Sequence, residues 1–209
     1  MSLPPELLRT VTREEINRLA VRRYEGPVFV VEHDLSRALE DIRSETVVGF
    51  DTETRPAFRP GESYLPSLAQ LATARAVWLF RLPDAAHEAA LGEILSSRTV
   101  KAGVSVADDL KSLKKSIEFQ AQAVVDLGKV AQRHGLKQSG VRNLAGLFLG
   151  FRIPKGTKTS NWARRTLTPQ QVAYAATDAW ACRELYLRFG ELGLLENRGQ
   201  LPISPKSSV

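Results

Sequence analysis

Val47-Val48-Gly49-Phe50-Asp51-Thr52-Glu53 is a run of β-branched and aromatic residues that ends in two acids. Such residues fit a pleated, buried surface, so the run reads as a core strand. Side chains alternate along a strand, which puts Val47, Gly49, Asp51 and Glu53 on one face and Val48, Phe50 and Thr52 on the other. Two carboxylates then leave the end of a buried strand on the same side. Like charges this close repel and are costly to dehydrate, and a cation between them offsets both penalties. Oxygen-only ligands favour Mg²⁺ or Mn²⁺. The competing reading is a strand that ends in a polar turn, with both acids facing water.

A chain of 209 residues can bury one sizeable core, so one main domain is expected. No apolar run approaches the roughly 18 residues needed to span a membrane, and the first residues do not resemble a secretory signal. An intracellular, cytoplasmic or nuclear protein with no membrane partner is the expectation. Cys182 is the only cysteine, which excludes an intrachain disulfide and a cysteine-based zinc site. Lys and Arg outnumber Asp and Glu by 29 to 23, a balance that suits a polyanionic partner.

Working outward from the acidic strand, residues 1–27 read as a basic arm, with a capping box at Thr12-Arg13-Glu14-Glu15 opening a short helix through Ile16. A strand at 28–31 precedes a helix capped by Asp34 that carries Leu35, Ala38, Leu39 and Ile42 at helical spacing. Downstream of Glu53, three prolines and a glycine between 55 and 66 predict an irregular loop beside the acids. Strands at 68–73 and 76–80, a helix at 84–96 and a strand at 99–104 follow. The helix beginning near Ser105 has Val106, Leu110, Leu113 and Ile117 on its apolar face. Asp109 lies at the edge of that face, and Asp108 falls on the solvated flank. A short strand at 124–125 and helices at 126–133 and 142–149 complete the middle of the chain.

Seven Lys or Arg residues and no acid stand between 137 and 165, a segment drawn to phosphates. Within it Lys155, Lys158, Ser160, Asn161 and Trp162 offer charge, a hydroxyl, an amide and a ring suited to phosphate, sugar and base. A solvated loop with Trp162 packed on the core is the alternative. Thr168-Pro169-Gln170-Gln171 combines an N-cap, a first-turn proline and a capping box, and opens a helix to about Phe189. Ala175, Cys182, Leu185, Tyr186 and Phe189 form its buried face, with Tyr174 and Asp178, one turn apart, at the edge of that face. A carboxylate there needs a compensating partner. The tail at 197–209 is expected to be mobile.

Asp51-Thr52-Glu53, Gly103-Val104-Ser105-Val106-Ala107-Asp108-Asp109 and Tyr174-Ala175-Ala176-Thr177-Asp178 together resemble the three motifs of the DEDDy 3′-5′ exonuclease superfamily. The flavour is closest to the Werner-type exonuclease domain, because Gly49-Phe50-Asp51-Thr52-Glu53-Thr54-Arg55-Pro56 and Ser160-Asn161-Trp162 also resemble its segments in order. The likeness spans about 28–192, dividing the chain into an arm (1–27), an exonuclease domain (28–192) and a tail (193–209). It implies an α/β, RNase H-like fold with a mixed sheet of roughly five strands flanked by helices.

The resemblance also implies that Asp51, Glu53, Asp109 and Asp178 hold two divalent cations, Mg²⁺ or Mn²⁺, about 4 Å apart. Tyr174 would orient the attacking water. Thr52, Arg142, Lys155, Lys158, Ser160, Asn161 and Trp162 are the implied substrate contacts. The expected substrate is single-stranded or 3′-tailed nucleic acid, with DNA favoured because a chain of this length has no room for the helical accessory domains of an RNase D. The expected products are nucleoside 5′-monophosphates. Thr54 stands where the family often has an aromatic residue, and Asp108 beside Asp109 leaves two neighbouring candidates for one ligand. An RNase D-like exoribonuclease and an inactive nucleic-acid-binding module are the competing readings.

Overall fold

The computed structural model describes residues 10–32, 35–154 and 160–195. Six strands form one mixed sheet: β1 (Val28–Val30), β2 (Val47–Thr54), β3 (Pro66–Ala72), β4 (Val77–Arg81), β5 (Val100–Gly103) and β6 (Val124–Asp126), in the order β1-β4-β3-β2-β5-β6. β3 runs antiparallel to both β2 and β4, while β1, β5 and β6 pair in parallel with β4, β2 and β5. The count exceeds the five that the family resemblance implies because the two short outer strands, β1 and β6, both join the ladder. Each of the six was legible as a separate apolar run.

The alternation along β2 sorts its side chains into two cores. Val48 and Phe50 pack with Leu71 and Phe80 against α2 (Leu35–Arg43), α3 (Ala85–Ser96) and α4 (Val106–Leu113). Val47 instead joins Cys182, Leu185 and Phe189 of α7 (Pro169–Glu191), and Leu68, Ala72 and Leu79 pack under Ala175, Ala176 and Ala179 of the same helix. The molecule is therefore a three-layer sandwich, with β2 at its centre and α7 lying across the sheet. Gly49 makes that contact possible: a Cβ there would stand 1.9 Å from the Ala179 carbonyl oxygen and 2.8 Å from the Arg183 nitrogen. Only a residue without a side chain lets the helix backbone come so near the strand.

Local chemistry sets the helix starts. Thr12 with Glu15, and Thr168 with Gln171, form reciprocal capping boxes, and Asp84 and Asp126 accept hydrogen bonds from the first-turn amides of α3 and of α5 (Leu127–Arg133). The cap expected at Asp34 lies outside the described residues, as do Lys155, Lys158 and the tail at 197–209. Two expectations change. α4 ends at Leu113, so Ile117 reaches the same core from the following turn rather than from the helix. Residues 142–149 divide into α6 (Val141–Leu144) and a π-helical turn (Ala145–Leu149), closed by Gly150 in the left-handed region. α1 (Arg13–Arg18) and the segment after it are fastened to the domain surface: Val11 and Ile16 are buried, and Arg22 and Ala20 exchange backbone hydrogen bonds with Arg152.

Candidate active site

The C-terminal end of β2 delivers Asp51 and Glu53 to the α7 side of the sheet, where Asp178 descends from the helix to meet them. Ligand oxygens of these three acids lie within 4.8 Å of one another. They line a cavity of about 210 Å³ with Thr52, Val104, Val141, Tyr174 and Cys182. Glu53 and Asp178 are buried, at 8% and 5% exposure, while Asp51 keeps a partial opening to solvent. The wheel placed Asp178 among apolar neighbours, and one of its oxygens, Oδ1, has no hydrogen-bond partner among the described residues.

Electrostatics follow from this crowding. Burial first, then the charges of Asp178, Asp109 and Glu53, push the Asp51 carboxyl well above the usual range. Asp178 is raised by burial too, partly offset by a hydrogen bond from Tyr174 and by the nearby Arg142 charge. Tyr174 moves far upward, through burial and through the carboxylates around it, so its hydroxyl stays protonated and acts as a donor. Three acids held together with one oxygen unsatisfied form a ligand set in need of positive charge. Hard, oxygen-only donors of this kind fit a divalent cation.

Asp109 arrives from the other layer. α4 packs on the Val48 and Phe50 side, and its Asp109 meets the end of β2 through the Thr52 hydroxyl, which donates to Asp109 Oδ1 at 2.5 Å. Burial raises Asp109 to about 6, with smaller upward pushes from Asp108 and Asp126 and an opposing one from the Thr52 hydrogen bond. Asp108 is exposed. The structure thus brings Asp51, Glu53 and Asp178 into one tight group, with Asp109 tethered to its rim.

The expected substrate contacts fare unequally. Trp162 is 1% exposed and packs with Leu68 and Ala175, its ring centroid 6.0 Å from that of Tyr174. It takes the core-packed place that the sequence offered as the alternative to a substrate contact: an indole needs an apolar bed, and the small alanines of α7 leave one. Ser160 is engaged inward, accepting a hydrogen bond from Gln171 Nε2 at 2.7 Å, and Asn161 Oδ1 accepts from the Ala163 amide while its residue remains exposed. Arg142 donates to the Ile153 carbonyl and lies near enough to Asp178 to lower its pKa. Two contributors went unread in the sequence. Gln171, beyond its capping role, fastens the Ser160-Asn161 segment to α7 through both of those residues. Arg81 holds the far end of the same loop by donating to the carbonyls of Arg164 and Arg165.

Residues 29–193 match the model of a family described as 3′-5′ exonuclease. The chain is 32% identical over 171 residues to the mouse bifunctional 3′-5′ exonuclease/ATP-dependent helicase WRN, a match covering 78% of this chain and 12% of that protein. It is 29% identical over 184 residues to ribonuclease D of Gluconacetobacter diazotrophicus, covering 85% of this chain and 45% of that one. The chain therefore spans less than half the length of these curated relatives. The crystal structure of the Aedes aegypti Nibbler EXO domain superposes with a TM-score of 0.70 at 24% identity, over 83% of this chain and 91% of that one, and shows the shared fold.

Proposed function

The chain belongs to the 3′-5′ exonuclease family, and on that premise we propose that it hydrolyses a nucleic acid from its 3′ end with two divalent cations held by Asp51, Glu53, Asp109 and Asp178. The observation that carries this reading is the meeting of Asp51, Glu53 and Asp178 within 4.8 Å in a cleft that also presents the Tyr174 hydroxyl. When bound, such cations lower the pKa of water and neutralise charge on the phosphate and the departing oxygen. The residues of the chain do the rest. Asp178 accepts from Tyr174 and fixes the direction of its ring. Tyr174, kept protonated by burial, directs the attacking water by hydrogen bonding rather than by taking its proton. Arg142, Asn161, Lys155 and Lys158 are the proposed phosphate and sugar contacts; water adds to the phosphorus, the 3′ oxygen of the shortened strand leaves, and the released product is a nucleoside 5′-monophosphate.

DNA is the favoured substrate, following the Werner-type motif pattern and the 32% identity to the mouse exonuclease/helicase. The similarity to a ribonuclease D favours RNA instead and supports the second reading. The test is degradation of 5′-labelled, 3′-tailed DNA and RNA of the same sequence, with Mg²⁺, Mn²⁺ or EDTA, beside Asp51→Ala. A metal-dependent ladder from the 3′ end, absent from the variant, is expected, and the ratio of the two rates assigns the sugar. No ladder on either strand, with binding intact, would leave a nucleic-acid-binding module in place of an enzyme.

A further inference from the structure

β2 feeds the site from both of its faces. The odd positions supply Asp51 and Glu53, while the even position between them turns Thr52 towards α4. There the Thr52 hydroxyl donates to Asp109 Oδ1 at 2.5 Å, a short, charge-assisted geometry. Asp109 has reasons to turn away. It stands outside the group of three acids whose oxygens lie within 4.8 Å, and Asp51, Asp108 and Asp126 all act on it or are acted on by it as like charges. Its helix is rooted in the opposite core through Val106, Leu110 and Leu113. The one side-chain hydrogen bond drawing it to the end of β2, among the described residues, comes from Thr52.

We infer that Thr52 is a positioning residue whose hydroxyl aims Asp109 at the cation-binding cleft, rather than a contact to the nucleic acid. The inference rests on the proposed role of Asp109 as a cation ligand and moves Thr52 out of the set of substrate contacts. Groups that orient metal ligands change metal affinity by about 10–100-fold when removed. Replacing the hydroxyl with a methyl of the same shape therefore weakens cation binding without emptying the cleft.

The experiment is titration of Mn²⁺ into the full chain by calorimetry, without nucleic acid, for wild type, Thr52→Val, Thr52→Ser, Asp109→Ala and the Thr52→Val/Asp109→Ala pair. Unfolding temperatures in EDTA serve as a check on folding. Thr52→Val should weaken the affected Mn²⁺ site about tenfold, and Thr52→Ser should recover most of that loss. In the Asp109→Ala background the Val substitution should add nothing, because the hydroxyl then has no carboxylate to aim. Unchanged Mn²⁺ affinity in Thr52→Val overturns the inference, as does a loss that persists when Asp109 is absent. A higher KM for nucleic acid with an unchanged metal titration would return Thr52 to the substrate contacts. Should the wild type bind Mn²⁺ but cleave neither strand, the proposed function fails, while the calorimetric comparison still decides the role of Thr52.

Discussion

Removing one charge from the acid group should make the metal-free protein more stable. Asp51 shares the 4.8 Å group with Glu53 and Asp178, and burial and both of those charges raise its pKa well above the usual range. At an effective dielectric of about 20, two full charges about 4.8 Å apart repel by about 3.5 kcal/mol, and Asp51 takes part in two such pairs. Proton uptake limits the cost: keeping one carboxyl neutral at about pH 7.5 takes about 5 kcal/mol, from 1.36 kcal/mol per unit above an ordinary pKa near 3.9. Asn at this position removes the charge but leaves an amide to satisfy, at about 1–3 kcal/mol. Asp51→Asn should therefore stabilise the protein in EDTA by about 2–4 kcal/mol, which for a chain of this size raises Tm by about 5–15 °C. The sign fixes the pH window. A carboxyl whose folded pKa is raised penalises the fold above that value and not below the unfolded pKa, so the gap should close as pH falls to about 4. Mn²⁺ should reverse the order, since a cation at a hundred times its Kd adds about 2.7 kcal/mol to a protein that binds it and little to one that has lost a ligand. Thermal unfolding followed by circular dichroism, with EDTA and with Mn²⁺, reads all of this. A variant less stable than wild type in EDTA at neutral pH would refute the account of the site as a group of mutually repelling, desolvated acids.

Gly49→Ala drives a methyl into the Ala179 carbonyl and lifts the helix that carries Asp178, so unfolding should show a loss of at least about 1–3 kcal/mol, with metal affinity falling alongside. Tyr174→Phe keeps the packing against Trp162 and removes the hydroxyl; kcat should drop by about 10²–10⁴ while KM and Mn²⁺ affinity hold, and parallel losses in all three would count against an orienting role. Lys101, fully buried on β5, donates to the Ile94 and Ser97 carbonyls, and burial lowers its pKa to about 8. Charge on this lysine opposes folding fully below about pH 8, and the penalty fades as pH rises towards 10.5. Lys101→Met should thus be about 1–3 kcal/mol more stable than wild type in neutral buffer, with the difference shrinking over that window in a pH series of denaturant melts.

What was legible in the sequence is what local spacing encodes. The buried face of α7, the reciprocal caps at Thr12 and Thr168, and the inward Asp109 beside an outward Asp108 all follow from periods of 3.6 residues or from contacts three residues apart. The pairing of β1 with β4 depends on the path of the chain, and no local signal carries it. The sequence leaves Trp162 open between a substrate contact and a core anchor, because its burial depends on the alanines at 175 and 176 lying beneath a loop more than ten residues upstream. The alternation that put Asp51 and Glu53 on the α7 face turned Thr52 towards α4, yet Thr52 also lines the cleft, so the strand pattern alone did not separate a substrate contact from a residue that holds Asp109.

The same alternation explains why such a site sits at a strand end. Within the sheet, the two faces of β2 are separated by the backbone and serve different cores, one under α7 and one over α3 and α4. Only where β2 outruns the parallel pairing with β5, which stops at Gly49, can groups from both faces approach the same space. Residues 50–54 have β3 on one side alone, and the unpaired side is where Asp178 from the upper layer and Asp109 from the lower one reach the strand. Extending β5 by two residues would pair that edge and close the route from α4. The short β5, ended by Gly103 and the left-handed Ser105 that starts α4, is thus as much a part of the site as the acids are. The fold places its acids by leaving one edge of its central strand unfilled.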